Sequence, residues 1–328
     1  MKYFELNNGV KIPAIGLGTN TIGKENGSYW ADLNGDYRPI MSAVKLGYRM
    51  FDNARGYRNE GGIGNALYES GVPRSELFII SKIPGIPECV GNEESIRAAL
   101  EDSLRLLRTD YVDLYMIHHP WSDSEGMVAA YKVIEKLREE GMVKTIGVSN
   151  FTPDLLELIL TRCNEAPQVN EYQINVFDWH DETTKYCKEH NILPIAWGPL
   201  LGIPNFMAKD RWSFTPDQLK MLLQRSQGKA SIPELNRYSG YSALISEMAE
   251  KYGRTWAQIQ LNLNYHEGIV SIPKSFDSAH QKDNLESLDF EMSDADYGLL
   301  YDAARGIGET KGVLKTITHK DAKMAGDI

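Results

Sequence analysis

The rhythm of apolar and polar positions changes near residue 14. Before that point Phe4 and Leu6 precede Asn7-Asn8-Gly9, and Val10 and Ile12 follow. Alternation about an Asn-Gly turn predicts an antiparallel hairpin, with the turn residues supplying positive φ angles. After it, short apolar runs alternate with amphipathic stretches. The runs are AIGLGT (14–19), YRMFDNA (48–54), LFIISKI (77–83), YVDLYMIHH (111–119), KTIGVSN (144–150), QVNEYQIN (168–175), ILPIAWGPL (192–200) and IVSIPKS (269–275), eight candidate strands. Between them, residues 92–108 place Ile96, Leu100, Leu104 and Leu107 at spacings of four, four and three, and residues 127–140 place Val128, Tyr131, Ile134 and Leu137 every third position. Each stretch leaves a polar opposite face, as a helix with one buried side does. Asn92 ahead of Ser95 suits a helix start, Gly141 a C-cap, and Thr152-Pro153 a capped start with proline in the first turn.

Strand and helix in alternation predict parallel strands with crossovers, and eight such units fit a closed (β/α)8 TIM barrel better than an open doubly wound sheet. The expected architecture is one α/β domain over residues 1–328, with an N-terminal β-hairpin and long loops on the C-terminal face. Residues 201–240, rich in Pro, Gly, Lys and aromatics, break the rhythm after the seventh strand and read as an inserted loop or lid.

Composition narrows the partners. A net charge of −10 repels phosphate backbones and disfavours nucleic acid. The N-terminal residues carry no leader pattern, and no run approaches the ~20 apolar residues of a membrane span. Cys89, Cys163 and Cys187 are scattered without metal or disulfide spacing, so no metal is expected and the thiols read as reduced in a cytoplasmic protein.

In a barrel of this kind the chemistry sits at the C-terminal ends of the strands. Asp52 ends the second strand, Tyr57 follows in the next loop, Lys82 ends the third and His118 the fourth. A phenol with a pKa near 10 is a weak acid at neutral pH, and a neighbouring ammonium makes it a stronger one. A buried lysine needs a counter-charge, which Asp52 offers, and a histidine N–H can orient a carbonyl oxygen. Together the four would stabilise an alkoxide and then protonate it.

The run GYRMFDNARGYRNEGGIGNAL (47–67) resembles the signature of the aldo-keto reductases. So do ISKI (80–83), DLYMIHHP (113–120), IGVSNF (146–151), the Asn170 segment, AWGPL (196–200) and SIPKS (271–275). The resemblance implies NAD(P)H-dependent reduction of an aldehyde or ketone, or the reverse oxidation. It makes Tyr57 the acid, Lys82 and Asp52 its tuners, and His118 the carbonyl-orienting donor. It also implies NADP(H), held without a Rossmann domain; the chain has no GxGxxG run. Gly18, Thr19 and Asp52 fall at the cofactor's edge of the mouth. Ser149, Asn150 and Glu171 match the carboxamide-binding positions, Trp197 the aromatic stacked on the nicotinamide, and Gly198, Pro199 and Leu200 the stretch beside it. Lys274, Ser275 and His280 match the 2′-phosphate contacts, and Asp283 and Asn284 the adenine contacts.

The chain departs from the family pattern at several of these positions. Glu171 stands where Gln is usual; a carboxylate accepts from an amide but donates only when protonated. His280 stands where Arg is usual, and Asp277 lies in the same stretch, so discrimination against NAD(H) is expected to be weaker. His119 and Pro84 replace common aromatics, and residues 20–38 read as a further insertion beside the site. Trp30, His119, Trp121 and Trp212 are the candidate pocket walls. A metal on His118 and His119 is disfavoured, because adjacent strand residues point to opposite faces. The small-molecule carbonyl substrate stays unnamed, as does the choice between a monomer and a small homo-oligomer. The competing reading is a catalytically silent, cofactor-binding regulatory subunit of the same fold.

Overall fold

In a computed structural model of the chain, residues 1–175, 179–200 and 232–308 are described. They fall into two compact units. The first holds Met1–Tyr172, Asp181–Trp197 and Gly268–Leu285; the second holds Gln173–His180, Gly198–Glu267 and the chain from Glu286 onward.

The first unit opens on the expected hairpin. Strand β1 (Tyr3–Glu5) pairs antiparallel with β2 (Lys11–Pro13), Tyr3 opposite Pro13. Gly9 alone takes a positive φ, +80°. Asn8 stabilises the turn by another route, its side chain accepting the Val10 amide at 3.1 Å. The turn is therefore wider than the Asn-Gly pair suggests, running from Leu6 to Val10, which are joined by a 2.9 Å backbone bond.

Eight parallel strands follow: β3 (Leu17–Gly18), β4 (Met50–Asp52), β5 (Phe78–Ile83), β6 (Val112–Ile117), β7 (Val143–Ser149), β8 (Val169–Gln173), β9 (Leu193–Trp197) and β10 (Val270–Ile272). They lie side by side in chain order. The seam between first and last is closed by the Ile15–Ser271 bridge, with Gly16 N donating to Ser271 O at 2.9 Å and Ser271 N to Ala14 O at 3.1 Å. A Cβ on Gly18 would lie 2.9 Å from the Ile272 carbonyl, so closure of the barrel requires glycine there. Each strand falls within one residue of a run read from the sequence.

Six helices precede the eighth strand in this unit: α1 (Arg38–Leu46), α2 (Glu60–Glu69), α3 (Glu93–Leu107), α4 (Ser124–Glu139), α5 (Pro153–Arg162) and α6 (Asp181–Glu189). Helix α3 buries Ile96, Leu100, Leu104 and Leu107 and is capped by Asn92, which accepts from Ser95 N at 3.1 Å. Helix α4 starts earlier than its apolar spacing suggests, because Asp123 caps it through the Gly126 amide at 3.0 Å. Gly141, at φ +84°, lies just beyond its end. The cap expected of Thr152 is not made: its hydroxyl bonds no helix amide, and Pro153 starts α5 through its fixed φ.

The barrel interior is apolar. Met50, Phe78, Ile80, Leu114, Met116, Val169, Ile195, Val270 and Ile272 form one cluster with Leu6 and Ile12, so the hairpin caps one end of the barrel. Each such side chain contributes about 1.5–3 kcal/mol by leaving water. On the outer side, buried Glu60 of α2 accepts from Ser81 at 2.7 Å and Ser103 at 2.9 Å, tying β5 to α2 and α3.

In the second unit, helix α7 (Ile232–Tyr252) packs on α8 (Trp256–His266) and α10 (Asp294–Gly308); α9 (Ser278–Leu285) belongs to the first unit. Thr255 and Gln258 form a capping box for α8. Asn262 donates to Ser287 O at 2.8 Å and Phe290 O at 2.9 Å, and His266 stacks on Tyr297. Of the expected lid, residues 201–231, with Trp212, lie outside the described residues; from Ile232 the chain is helical. Among the described residues no helix is long and apolar enough to cross a membrane.

Candidate active site

Strand periodicity builds the site. Residues two apart share a face, so the position two beyond each buried apolar residue of the barrel wall points the same way, one step nearer the strand's C-terminal end. Asp52 follows Met50, Lys82 follows Ile80, His118 follows Met116, Glu171 follows Val169, Trp197 follows Ile195 and Lys274 follows Ile272. Below is a dry apolar core; above it is a ring of polar and aromatic groups.

Asp52, Tyr57, Lys82 and His118 come together. The Lys82 ammonium is fully buried and forms a short ion pair with Asp52. It also donates to Asn53 O at 3.2 Å and lies 3.4 Å from the Tyr57 hydroxyl. Tyr57 sits on a short 3-10 turn closed by Arg58 at φ +64°, a left-handed conformation that costs a non-glycine residue about 1–2 kcal/mol. The His118 ring meets Tyr57 edge-on, centroids 5.5 Å apart. Asp52 is anchored through its backbone: Thr19 Oγ1 donates to Asp52 O at 2.7 Å, with Asn53 Oδ1 also in reach at 2.9 Å, and Asn59 Nδ2 donates to Thr19 O at 2.8 Å.

The electrostatics differ from the expectation of a simply acidified phenol. Burial raises the Tyr57 pKa; Lys82 opposes it, but Asp52 and Glu171 push the same way as burial, and the net direction is up. Burial works against the Lys82 ammonium, yet Asp52 and Glu171 more than offset it and hold the proton on. Burial, then Lys82 and His119, bring His118 down to about 2, so its imidazole is neutral and carries one N–H.

Glu171, expected against the carboxamide, also belongs to this charge cluster. Its Oε1 lies 3.4 Å from Lys82 Nζ, and its Oε2 is buried without a hydrogen-bond partner. Burial and the Asp52 charge push its pKa up to about 8.

Across from it, Ser149 is Glu171's register partner on β7, and Asn150 follows at φ +63°, a left-handed conformation that asparagine tolerates. The Asn150 amide Nδ2 lies 3.0 Å from His118 O, 3.0 Å from Ser149 Oγ and 3.1 Å from His119 Nδ1, while its Oδ1 accepts from Trp197 Nε1 at 3.1 Å. His118 and His119 do not point to opposite faces. Strand β6 ends at Ile117, alternation lapses, and the two rings stack at 4.4 Å.

At the other edge, Lys274 donates to Thr21 Oγ1 at 2.8 Å. Lys24, 2% exposed, donates to Tyr29 O at 2.6 Å and feels both Arg58 and Lys274; burial first, then these cations, lower its pKa to about 8. None of the three has a carboxylate partner among the described residues. Lys24 was not foreseen, because it comes from the 20–38 insertion. Asp277, expected to repel a phosphate, is turned onto the start of α9, accepting from Ala279 N at 2.7 Å and His280 N at 3.1 Å. Ser275 is bonded within the same turn, His280 is exposed, Asp283 is partly buried and Asn284 is buried.

Among the expected pocket walls, Trp30 is 80% exposed and meets Tyr29 edge-on. It is Tyr29 that reaches the site, edge-on to Tyr57 at 6.0 Å. His119 is exposed and Trp121 partly buried. Gly198, at φ +61°, Pro199 and Leu200 follow Trp197 directly in the chain, in the second unit.

A buried Asp–Lys–Tyr cluster with a neutral histidine thus lies at the mouth of a parallel barrel. The aldo/keto reductase family matches residues 14–304, and the chain belongs to that family. It is 34% identical over 292 residues to glyoxal reductase of Bacillus subtilis, covering 89% of each chain. Its fold is similar to an aldo/keto reductase of Brucella melitensis, with a TM-score of 0.73 at 28% identity over 92% of this chain and 99% of that one. An aldo-keto reductase crystallised with NADPH aligns with a TM-score of 0.73 at 26% identity, over 92% of this chain and 87% of that one.

Proposed function

We propose that this protein reduces aldehydes or ketones to alcohols with NADPH, Tyr57 delivering the proton and His118 holding the carbonyl oxygen. The observation that carries the reading is the buried Lys82 ammonium set between Asp52 and the Tyr57 hydroxyl.

The residues present fit a nicotinamide dinucleotide. Glu171 Oε2 is a buried atom without a hydrogen-bond partner, suited to the carboxamide: as a protonated carboxyl it donates to the amide oxygen. Trp197 is half-buried with its N–H already satisfied, leaving a ring face for stacking. Lys24, Arg58 and Lys274 are cations without carboxylate partners among the described residues, suited to phosphates. When bound, the cofactor supplies the hydride. His118, neutral, donates to the carbonyl oxygen and polarises it. Tyr57 then protonates the alkoxide, and Lys82 steadies the phenolate left behind. Asp52 keeps Lys82 charged and in place.

The same family match runs across both compact units, which supports one domain over 1–328. Free Cys89, Cys163 and Cys187 support a cytoplasmic setting, and a monomer or small homo-oligomer is the assembly proposed. Relatives named for glyoxal and methylglyoxal reduction support small dicarbonyls as the first substrates to try. The test follows NADPH and NADH oxidation separately with such substrates. Turnover by the wild type that vanishes in Tyr57→Phe, with NADPH binding retained, is expected. Turnover surviving in the variant would remove Tyr57 as the acid, and cofactor binding without turnover would return the silent-subunit reading.

A further inference from the structure

One ammonium in this site faces two carboxyls. Lys82 is fully buried, and the side chains of Asp52 and Glu171 are 5% and 3% exposed. With both carboxyls ionised the cluster carries a net charge of −1 in a place water does not reach, beside a phenol that must itself become an anion. Such an arrangement is costly, and the lowest-cost remedy is a proton held between the two acids. Glu171 Oε2, buried and unpartnered, is an atom free to carry it.

We infer that Glu171 is a positioning residue for Tyr57: with Asp52 it shares one proton over Lys82, and while that proton is held the cluster is neutral before Tyr57 reacts. The inference rests on the reading of Tyr57 as proton donor. The charge balance gives the sign. With the shared proton in place, the cluster goes from 0 to −1 when Tyr57 gives up its proton. Without it, the same step runs from −1 to −2, and Tyr57 is the weaker acid. Reduction therefore slows as pH rises through the titration of the pair, although Tyr57 is still protonated there. The pair titrates as a unit, so the behaviour belongs to neither acid alone. Burial and Asp52 place the Glu171 step at about 8.

The groups packed around Glu171 come from the neighbouring strands and turns. Strand β4 contributes Asp52, β5 Lys82, the turn after β4 Tyr57, and the end of β6 His118 and His119. Strand β7, the residue after it and β9 contribute Ser149, Asn150 and Trp197, none of which titrates. His118 is already neutral far below this range.

The experiment has two readouts. The first is kcat for carbonyl reduction at saturating NADPH from pH 6 to 10. Wild type is expected to lose rate with an apparent midpoint near 8, whereas Glu171→Gln, which cannot ionise, should keep its plateau at least a unit higher. Glu171→Asp, which restores a carboxyl, should restore the fall. Coincident profiles for wild type and Glu171→Gln would overturn the inference. The second readout needs no turnover: the infrared difference between wild type and Glu171→Gln. A protonated-carboxyl stretch is expected at pH 6.5 and should be gone at pH 10. Its absence at pH 6.5 would overturn the inference even in a protein with full activity. Its presence in a protein without turnover would leave the shared proton standing while the proton-donor reading fails.

Discussion

The two edges of the barrel mouth handle charge in opposite ways. Around Tyr57 every charge has a partner: Lys82 meets Asp52 and Glu171, all three buried. Around Lys274 three cations gather with no carboxylate partner among the described residues, and Asp277, in the same stretch, is occupied by helix amides. The first cluster is neutral once its two acids share one proton, and is then suited to moving another, since its net charge is set before substrate arrives. A cluster left unbalanced is suited to holding an anion brought from outside. The same residue type thus does different work: Lys82 is held charged by its neighbours, and Lys24 is pushed toward losing its proton by burial first and then by Arg58 and Lys274.

The largest break in this contrast is expected from Lys82→Met. It leaves Asp52 and Glu171 facing each other without a cation, at a cost on the order of 3–5 kcal/mol. Both acids then have folded-state pKa values above their unfolded ones, so the variant should be most stable at low pH and lose stability as pH rises; denaturant titrations at pH 5 and 8 check this. Tyr57→Phe leaves the ion pair alone and should cost about 10²–10⁴ in turnover with NADPH affinity unchanged, by stopped-flow and fluorescence titration. Lys274→Met should weaken NADPH by about 1.5–3 kcal/mol, with much less effect on NADH. Lys24 gives a pH signature: its ammonium is present below about 8 and lost above it, so NADPH affinity should fall from pH 7 to 9, and Lys24→Met should flatten that dependence. The smallest effect is expected from His280→Arg, a few-fold tightening of NADPH by a permanent charge with NADH unaffected. Equal gains for both cofactors would show that His280 does not face the 2′-phosphate.

Most of the barrel was legible because strand periodicity is local. Short, mostly apolar runs of six to nine residues gave all eight strands, and strand ends gave Asp52, Lys82 and His118 their common mouth. The same periodicity held the clue to Glu171: it stands two residues beyond Val169 as Lys82 stands two beyond Ile80. A contact between β5 and β8 across the barrel needs the closed geometry, and no pairwise spacing in sequence reveals it. Periodicity misled at His118 and His119, because it holds only while the strand lasts. Lys24 and Tyr29 come from an irregular segment with no period to read. Asp277 looked like a phosphate repellent because a charge is visible in sequence, while the helix amides that absorb it are not.

The Asn150 contacts carry one more consequence, about direction. An indole N–H can only give a hydrogen, so the Asn150 atom facing Trp197 is its oxygen. The amide nitrogen is thereby turned toward His119 Nδ1, and an amide nitrogen accepts nothing, so that ring atom carries no hydrogen. The neutral His119 ring must wear its proton on Nε2. A tryptophan on the seventh barrel strand thus dictates, through one side-chain amide, which tautomer a histidine beyond the fourth strand adopts.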